Sequence, residues 1–410
     1  MTNESLLEFM DSLDDLDPLE LSNTILMPNY GPAAICLVKG EGAKVLDSTG
    51  RWYYDFLSGI AVASLGHANP AVAEAVSWQA QELMHVSNIF ANLIGPKVAA
   101  MIDRLIRLER LSSGPGRVFF ANSGAEANEA AIKLARKYGL ESGKHHIITA
   151  LGSFHGRTMG ALSATGQRSK QIPFEPLLPG FSHVPWNDVA AIESAVTEAT
   201  VAVMLEPIQG EAGVIDPDET YLGEVQQLCR SRDLLLIIDE VQTGFARTGK
   251  WFGFQHYSIE PDIVTMAKAL GSGMPISACW AREGLSEAFA PGDHGTTFGG
   301  QPLAASAALA TIRKLIEIDA PARSQELGEA MLKMYEGNAD IDSISGSGLL
   351  RGINLKSPSA KKVALRAMEL GVIVNPIGEK VIRLAPPLII SLPELESACQ
   401  LILQAISEVE

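Results

Sequence analysis

Short apolar runs recur along the chain and stop abruptly at polar or small residues. Residues 234–238 are five consecutive large aliphatics, and the run ends in Asp239-Glu240. The run at 201–205 ends in Glu206, and the run at 146–150 leads to Ser153-Phe154-His155-Gly156-Arg157-Thr158. Residues 262–267 deliver Lys268 to the break Gly271-Ser272-Gly273-Met274-Pro275. A run with no polar position on either face predicts a strand buried on both sides, the mark of a parallel sheet. Residues 117–121 and 276–281 add further strands. Between them the spacing predicts helices: one opens at Pro70, where a missing N–H costs nothing, and another spans 96–108. A third grows out of Asn122-Ser123-Gly124-Ala125 and runs to Tyr138. Strands alternating with helices predict an α/β fold whose ligands gather at the carboxyl ends of the strands.

The flanks differ from this centre. Residues 1–22 carry Glu4, Glu8, Asp11, Asp14, Asp15, Asp17 and Glu20 without one Lys or Arg. Leu6, Leu7, Phe9, Leu13 and Leu16 would share one face of a short amphipathic helix, but so acidic a stretch reads rather as a partly ordered extension. Residues 23–75 read as short strands and turns that join a smaller domain. A large domain at 76–310 follows, and helix, short strands and helix at 311–410 form a small α+β domain.

Composition narrows the function. Of 410 residues, 47% are hydrophobic and 20% charged, as in a globular chain with a large core. A net charge of −16 argues against nucleic acid or an anionic membrane as partner, but a local arginine can still hold a small anion. The four cysteines, Cys36, Cys229, Cys279 and Cys399, form no CxxC pair, which suits reduced thiols in a cytoplasmic enzyme better than a disulfide framework or a metal site. No long apolar span predicts a membrane helix.

Several residues then suggest chemistry. Asp239 and Lys268 end two neighbouring strands, where an acid and an amine share either a salt bridge or a site. Ser123, Gly124 and Ala125 let backbone approach a ligand at a helix start, whose free N–H groups seat a phosphate. Phe154 either packs in the core or stacks on a flat ring. Glu206 and Glu211 stand beside glycines in a cleft. Thr296 and Thr297, in a Gly/Thr-rich loop, offer hydroxyls to phosphate.

The stretch Ile238-Asp239-Glu240-Val241-Gln242-Thr243-Gly244-Phe245-Ala246-Arg247-Thr248-Gly249, with Pro261-Asp262-Ile263-Val264-Thr265-Met266-Ala267-Lys268-Ala269-Leu270 after it, closely resembles the signature of class III (ornithine/GABA-type) aminotransferases. These enzymes bind pyridoxal 5'-phosphate. The resemblance covers the chain after about residue 22. It implies the fold type I (aspartate-aminotransferase-like) architecture, a mostly parallel sheet in a large domain plus a small α+β domain. It marks Lys268 as the lysine that bonds the cofactor aldehyde, and Asp239 as the acid that keeps its ring nitrogen protonated. Gln242 then meets the phenolic oxygen, and Val241 and Phe154 cover opposite ring faces. Ser123, Gly124 and Ala125 hold the phosphate, and Thr297 serves the phosphate of a neighbouring subunit, so a homodimer with active sites at its interface is expected.

The same resemblance assigns the substrate side. Arg383, in Arg-Leu-Ala-Pro-Pro-Leu, clamps the α-carboxylate of glutamate or 2-oxoglutarate, and Glu211 covers it while an ω-amine reacts. Arg157, Thr296, Glu206 and Tyr30 line the substrate channel. The segment from His85 to Asn92, the Phe154–Thr158 stretch and the Thr296-Thr297 loop look most like the acetylornithine-transaminase branch. Its substrates are N2-acetylornithine and 2-oxoglutarate. Ornithine, succinylornithine and 4-aminobutyrate transamination, or a related aminomutase, remain open at this point. Two departures stand out: the acidic extension exceeds the family core, and Gln301 stands where Asn is common.

Overall fold

The computed structural model describes residues 3–109 and 114–409, so the predicted acidic segment is seen from residue 3 and the last segment to residue 409. Among the described residues, fifteen strands lie in three sheets. In chain order they are β1 (Leu37–Glu41), β2 (Lys44–Asp47), β3 (Trp52–Asp55), β4 (Arg117–Ala121), β5 (His146–Ala150), β6 (Phe181–Val184), β7 (Thr200–Leu205), β8 (Leu235–Asp239), β9 (Ile263–Met266), β10 (Ser277–Ala281), β11 (Ile341–Ser347), β12 (Leu350–Leu355), β13 (Val372–Ile373), β14 (Asn375–Ile377) and β15 (Val381–Leu384).

The large sheet runs β4-β10-β9-β8-β7-β5-β6. β10 is antiparallel to both its neighbours, and the pairs from β9 to β6 are parallel. β7 and β8 are buried at every position, the consequence of runs with no polar residue to present to water. β6, at the sheet edge, is mostly half-buried, and its mixed sequence gives no apolar run to find it by. Helix Gly124–Tyr138 packs on β9 and β10 through an alanine-rich face of Ala127, Ala130, Ala131 and Ala135. Small side chains let it approach closely.

Two four-stranded sheets flank this core. One runs β11-β12-β15-β14 and is antiparallel throughout. The other runs β1-β2-β3-β13, where β13 pairs in parallel with β3 and so ties residue 372 to residue 54. Phe56 N–H donates to Ile373, and Ala385 N–H donates to Phe56, extending that seam to the end of β15. The acidic extension forms helices Asn3–Ser12 and Pro18–Ile25, neither with a buried residue. Asp17 caps the second by accepting the Leu19 and Glu20 N–H groups. No described helix is long and apolar enough to cross a membrane.

The topology brings the chemistry together. β4, β5, β7, β8 and β9 end in one cleft, and just beyond their carboxyl ends lie Ser123, Phe154, Glu206, Asp239 and Lys268. That is where open α/β sheets hold ligands.

Candidate active site

A cavity of about 460 Å³ opens at these strand ends. At one end the Gly124–Tyr138 helix begins. Ser123 Oγ accepts the Glu126 N–H at 3.3 Å, and Glu126 Oε2 accepts the Asn122 and Ser123 N–H groups at 2.6 and 3.1 Å, a closed capping box. The box occupies Ser123 itself. Gly124 and Ala125 line the cavity, and as first-turn residues their N–H groups have no partner within the helix. An anion there meets free donors and the positive end of the dipole. Gly124 is required by packing: a Cβ on it would meet Val241 Cγ1 at 2.7 Å. Val241 thus forms one wall and Phe154 lines the cavity as another.

On the floor, Asp239 is 4% exposed and fully engaged. Its Oδ2 accepts from Asn128 Nδ2 at 2.7 Å and faces His155 Nδ1 at 2.8 Å, and its Oδ1 accepts the Val241 N–H at 3.0 Å. Thr265 Oγ1 donates to Asn128 Oδ1 at 2.6 Å, and Asn128 also donates to the His155 carbonyl at 2.7 Å. The Asp239 carboxylate therefore cannot rotate without breaking this set.

Lys268 completes the floor. Its φ of +39° lies in the left-handed region, uncommon for a residue with a Cβ and typical of strain held at functional sites. Burial pushes its amine down to about 8, against the upward pull of Glu211, Asp239 and Glu206. A lysine near 8 is partly neutral at physiological pH and so is a nucleophile and a proton carrier.

Above it lie two carboxylates with different fates. Glu206 accepts the Phe154 N–H at 3.1 Å, and burial, with Asp239 nearby, raises its carboxyl well above the usual range. For Glu211, burial also opposes ionisation, but Arg383 outweighs it and leaves the carboxyl below the usual range. Arg383 Nη1 donates to Glu211 Oε1 at 2.5 Å, and Nη2 donates to Asn375 Oδ1 at 2.7 Å. Gln242 bridges the two, donating to Glu211 at 3.3 Å and accepting from Arg383 at 3.2 Å. Glu211 lines the cavity, whereas the guanidinium of Arg383, 3% exposed, lies behind it.

Of the residues singled out by sequence, Ser123, Gly124, Ala125, Phe154, Arg157, Glu206, Glu211, Asp239, Val241, Gln242 and Lys268 share this cavity. Arg383 stands behind Glu211, outside the lining, and three more do not join the cavity within one chain. Tyr30 is 86% exposed, and Thr296 and Thr297 line a separate hollow with Phe119, Asn122 and His294. Thr296 Oγ1 instead accepts from Asn122 Nδ2 at 3.3 Å and from the Gly299 N–H at 3.2 Å. Sequence reasoning assigned no role to Asn128, His155 and Asn375. The signal for Asn128 was an amide amid buried alanines, since a buried amide needs partners; nothing local marks Asn375.

The set suits one ligand class: an anion seat, a clamped acid, a soft amine, and an aromatic and an aliphatic side chain lining one cavity. Comparison with known proteins agrees. Residues 25–406 match the aminotransferase class-III family. The acetylornithine aminotransferase of Methanothermobacter thermautotrophicus is 46% identical over 400 residues, covering 97% of this chain and 100% of that one. That of Mycolicibacterium smegmatis is 48% identical over 376 residues, covering 91% and 94%. Among solved structures, the ornithine aminotransferase of Toxoplasma gondii superposes with a TM-score of 0.91 at 32% identity, covering 100% of this chain and 99% of that one. A second structure of that enzyme shows partial occupancy of PLP, pyridoxal phosphate, at its active site, with TM-score 0.91, 32% identity and 98% and 97% coverage. The acetylornithine aminotransferase of Elizabethkingia anophelis superposes at 0.82 with 34% identity, covering 95% and 98%. With the family match spanning all but the ends of the chain, this protein belongs to the class-III aminotransferases, which work with pyridoxal phosphate.

Proposed function

We propose that the protein moves the δ-amino group of N2-acetyl-L-ornithine to 2-oxoglutarate, giving N-acetyl-L-glutamate 5-semialdehyde and glutamate, a step of arginine biosynthesis. The observation that carries this is the near full-length identity to acetylornithine aminotransferases, 46% across 97% of the chain in the Methanothermobacter case. The Glu211–Arg383 pair supports it, because the two half-reactions place different groups at one spot.

Bound in the cleft, the cofactor supplies an electron sink for the substrate carbon that carries the amine. The protein does the rest. Gly124 and Ala125 N–H groups would hold the phosphate, with Ser123 shaping the turn. Asp239, fixed by Asn128 and His155, would keep a proton on the ring nitrogen, and Val241 and Phe154 would cover the ring. Lys268 would hold the cofactor aldehyde, and its amine, when free, would carry a proton to and from the substrate carbon. Gln242 has its amide between the gate residues, within reach of both. Glu211 neutralises Arg383 while the ω-amine reacts, and yields when 2-oxoglutarate brings its own carboxylate to the guanidinium. Arg157 takes the carboxylate of acetylornithine, and Glu206 lines the same cavity.

The reading includes a homodimer. Tyr30, Thr296 and Thr297 have no place in their own cavity, and Ile89, Phe90, Leu93 and Phe298 are between 65% and 85% exposed on the surface around that loop. His85 and Asn88 bond the carbonyls of Thr297, Thr296 and Gly299, so these apolar side chains and the threonine loop move as one patch. A second copy covering it brings its Thr297 to this phosphate.

The deciding experiment is turnover of acetylornithine, ornithine and 4-aminobutyrate, each with 2-oxoglutarate. Acetylornithine is expected to give the highest kcat/KM. Dominant turnover of 4-aminobutyrate would overturn the substrate assignment.

A further inference from the structure

Two cations lie near one aromatic ring that lines the cleft. Arg157 Cζ lies 5.6 Å from the Phe154 ring centroid, and Lys170 Nζ lies 5.2 Å from it. The two come from separate elements, since Lys170 sits in the short helix Arg168–Gln171. Lys170 Nζ donates to Gln167 Oε1, and Gln167 Nε2 donates to the carbonyls of Gly152 and Ser153 at 3.1 and 3.2 Å. The ammonium is therefore fastened to the turn that presents Phe154. It is half-buried, and among the described residues no carboxylate lies within ion-pair distance of it.

The surrounding charges leave this cation unbalanced. Burial lowers the Lys170 amine, and its electrostatic neighbours are Glu211, Arg157 and Glu206. Of these acids, Glu211 is already spent on Arg383, and Glu206 is driven by burial toward its neutral form. Among the described residues, neither Lys170 nor Arg157 is paired with a carboxylate, and Glu211 is held by Arg383. A half-buried ammonium left in that state favours an incoming carboxylate.

We propose that Lys170 and Arg157 together form a two-cation seat around the Phe154 ring for the carboxylate at the outer end of the amine donor. This rests on the acetylornithine reading, and it makes Lys170 a specificity residue of the same site. The guanidinium supplies a planar fork and the ammonium a point charge, so one carboxylate can use both.

The test compares N-acetylornithine with N-acetylputrescine, the same amine without its carboxylate. Lys170→Met is expected to raise KM for N-acetylornithine about tenfold more than for N-acetylputrescine, the loss of one charge-assisted contact. Lys170→Arg is expected to recover most of that difference. An equal rise for both donors, or Lys170→Arg behaving like Lys170→Met, would overturn the proposal. Wild-type turnover of N-acetylornithine tests the underlying reading separately. Should ornithine be the better donor, the ratio of ornithine to putrescine tests Lys170 in the same way.

Discussion

Glu211 Oε1 sits 2.5 Å from Arg383 Nη1 and so joins the loop after β7 to the β15 strand across the cleft. The arginine is 3% exposed, and a buried guanidinium without its partner is costly. In the proposed gate this pair is the closed state, which a competing carboxylate would replace.

Glu211→Gln keeps the shape and removes the charge. The amine-donor half-reaction, followed by single-turnover absorbance, is expected to slow about 10- to 100-fold, in line with losing a desolvated ion pair. The half-reaction with glutamate is expected to change by less than about threefold, because substrate itself supplies the charge. Equal slowing of both halves would remove the gate.

Gly210 carries a related prediction. A Cβ there would lie 1.6 Å from Gln242 Oε1, so Gly210→Ala must push that amide away from Arg383. Urea denaturation is expected to show a loss of about 1–3 kcal/mol, the range for overpacking. The amine-donor half-reaction is expected to slow with it, since the displaced side chain also bonds Glu211.

Cofactor capture should follow the protonation of Lys268. Its amine, lowered to about 8, is mostly charged below that pH and mostly neutral above it. At pH 7 about one molecule in ten has the reactive form, a tenfold loss per unit below the midpoint. The second-order rate of recombination of apoprotein with pyridoxal phosphate is expected to rise to a plateau with a midpoint near 8. A midpoint near 10.5, the ordinary value, would contradict the buried setting. Linkage fixes the sign for stability: with the folded value below the unfolded one, the apoprotein is penalised at low pH for holding a buried charge, and that penalty is relieved as pH rises between about 8 and 10.5.

Asn128 clamps Asp239 and is itself held by Thr265. Asn128→Ala leaves a buried carboxylate and a buried hydroxyl each short of a partner. Apoprotein stability is expected to fall by about 1–3 kcal/mol, and pyridoxal phosphate to bind about tenfold more weakly as the acid loses its fixed orientation. Unchanged affinity in an absorbance titration would show that His155 and the Val241 N–H suffice.

The centre of the fold was legible because its strands have no polar face: β7 and β8 are dominated by aliphatics and every position is buried. β11, Ile-Asp-Ser-Ile-Ser-Gly-Ser, carries no such signal, because its serines and glycine pair with β12 through backbone and polar contacts rather than through an apolar face. The site divides in the same way. Lys268, Asp239 and the Ser123–Ala125 turn lie in short continuous stretches whose order reveals them. Asn375 reaches Arg383 only because β14 pairs with β15, a relation set by sheet register and not by local sequence. Tyr30, Thr296 and Thr297 stand outside the cavity of their own chain, and the roles expected of them rest on the proposed second copy.

The most direct test is borohydride reduction of the protein loaded with pyridoxal phosphate, followed by peptide mapping. The phosphopyridoxyl group is expected on the peptide containing Lys268, with the yellow absorbance lost on reduction and absent in Lys268→Ala. Label on another lysine, or a Lys268→Ala protein that still shows the reducible yellow band, would contradict the assignment.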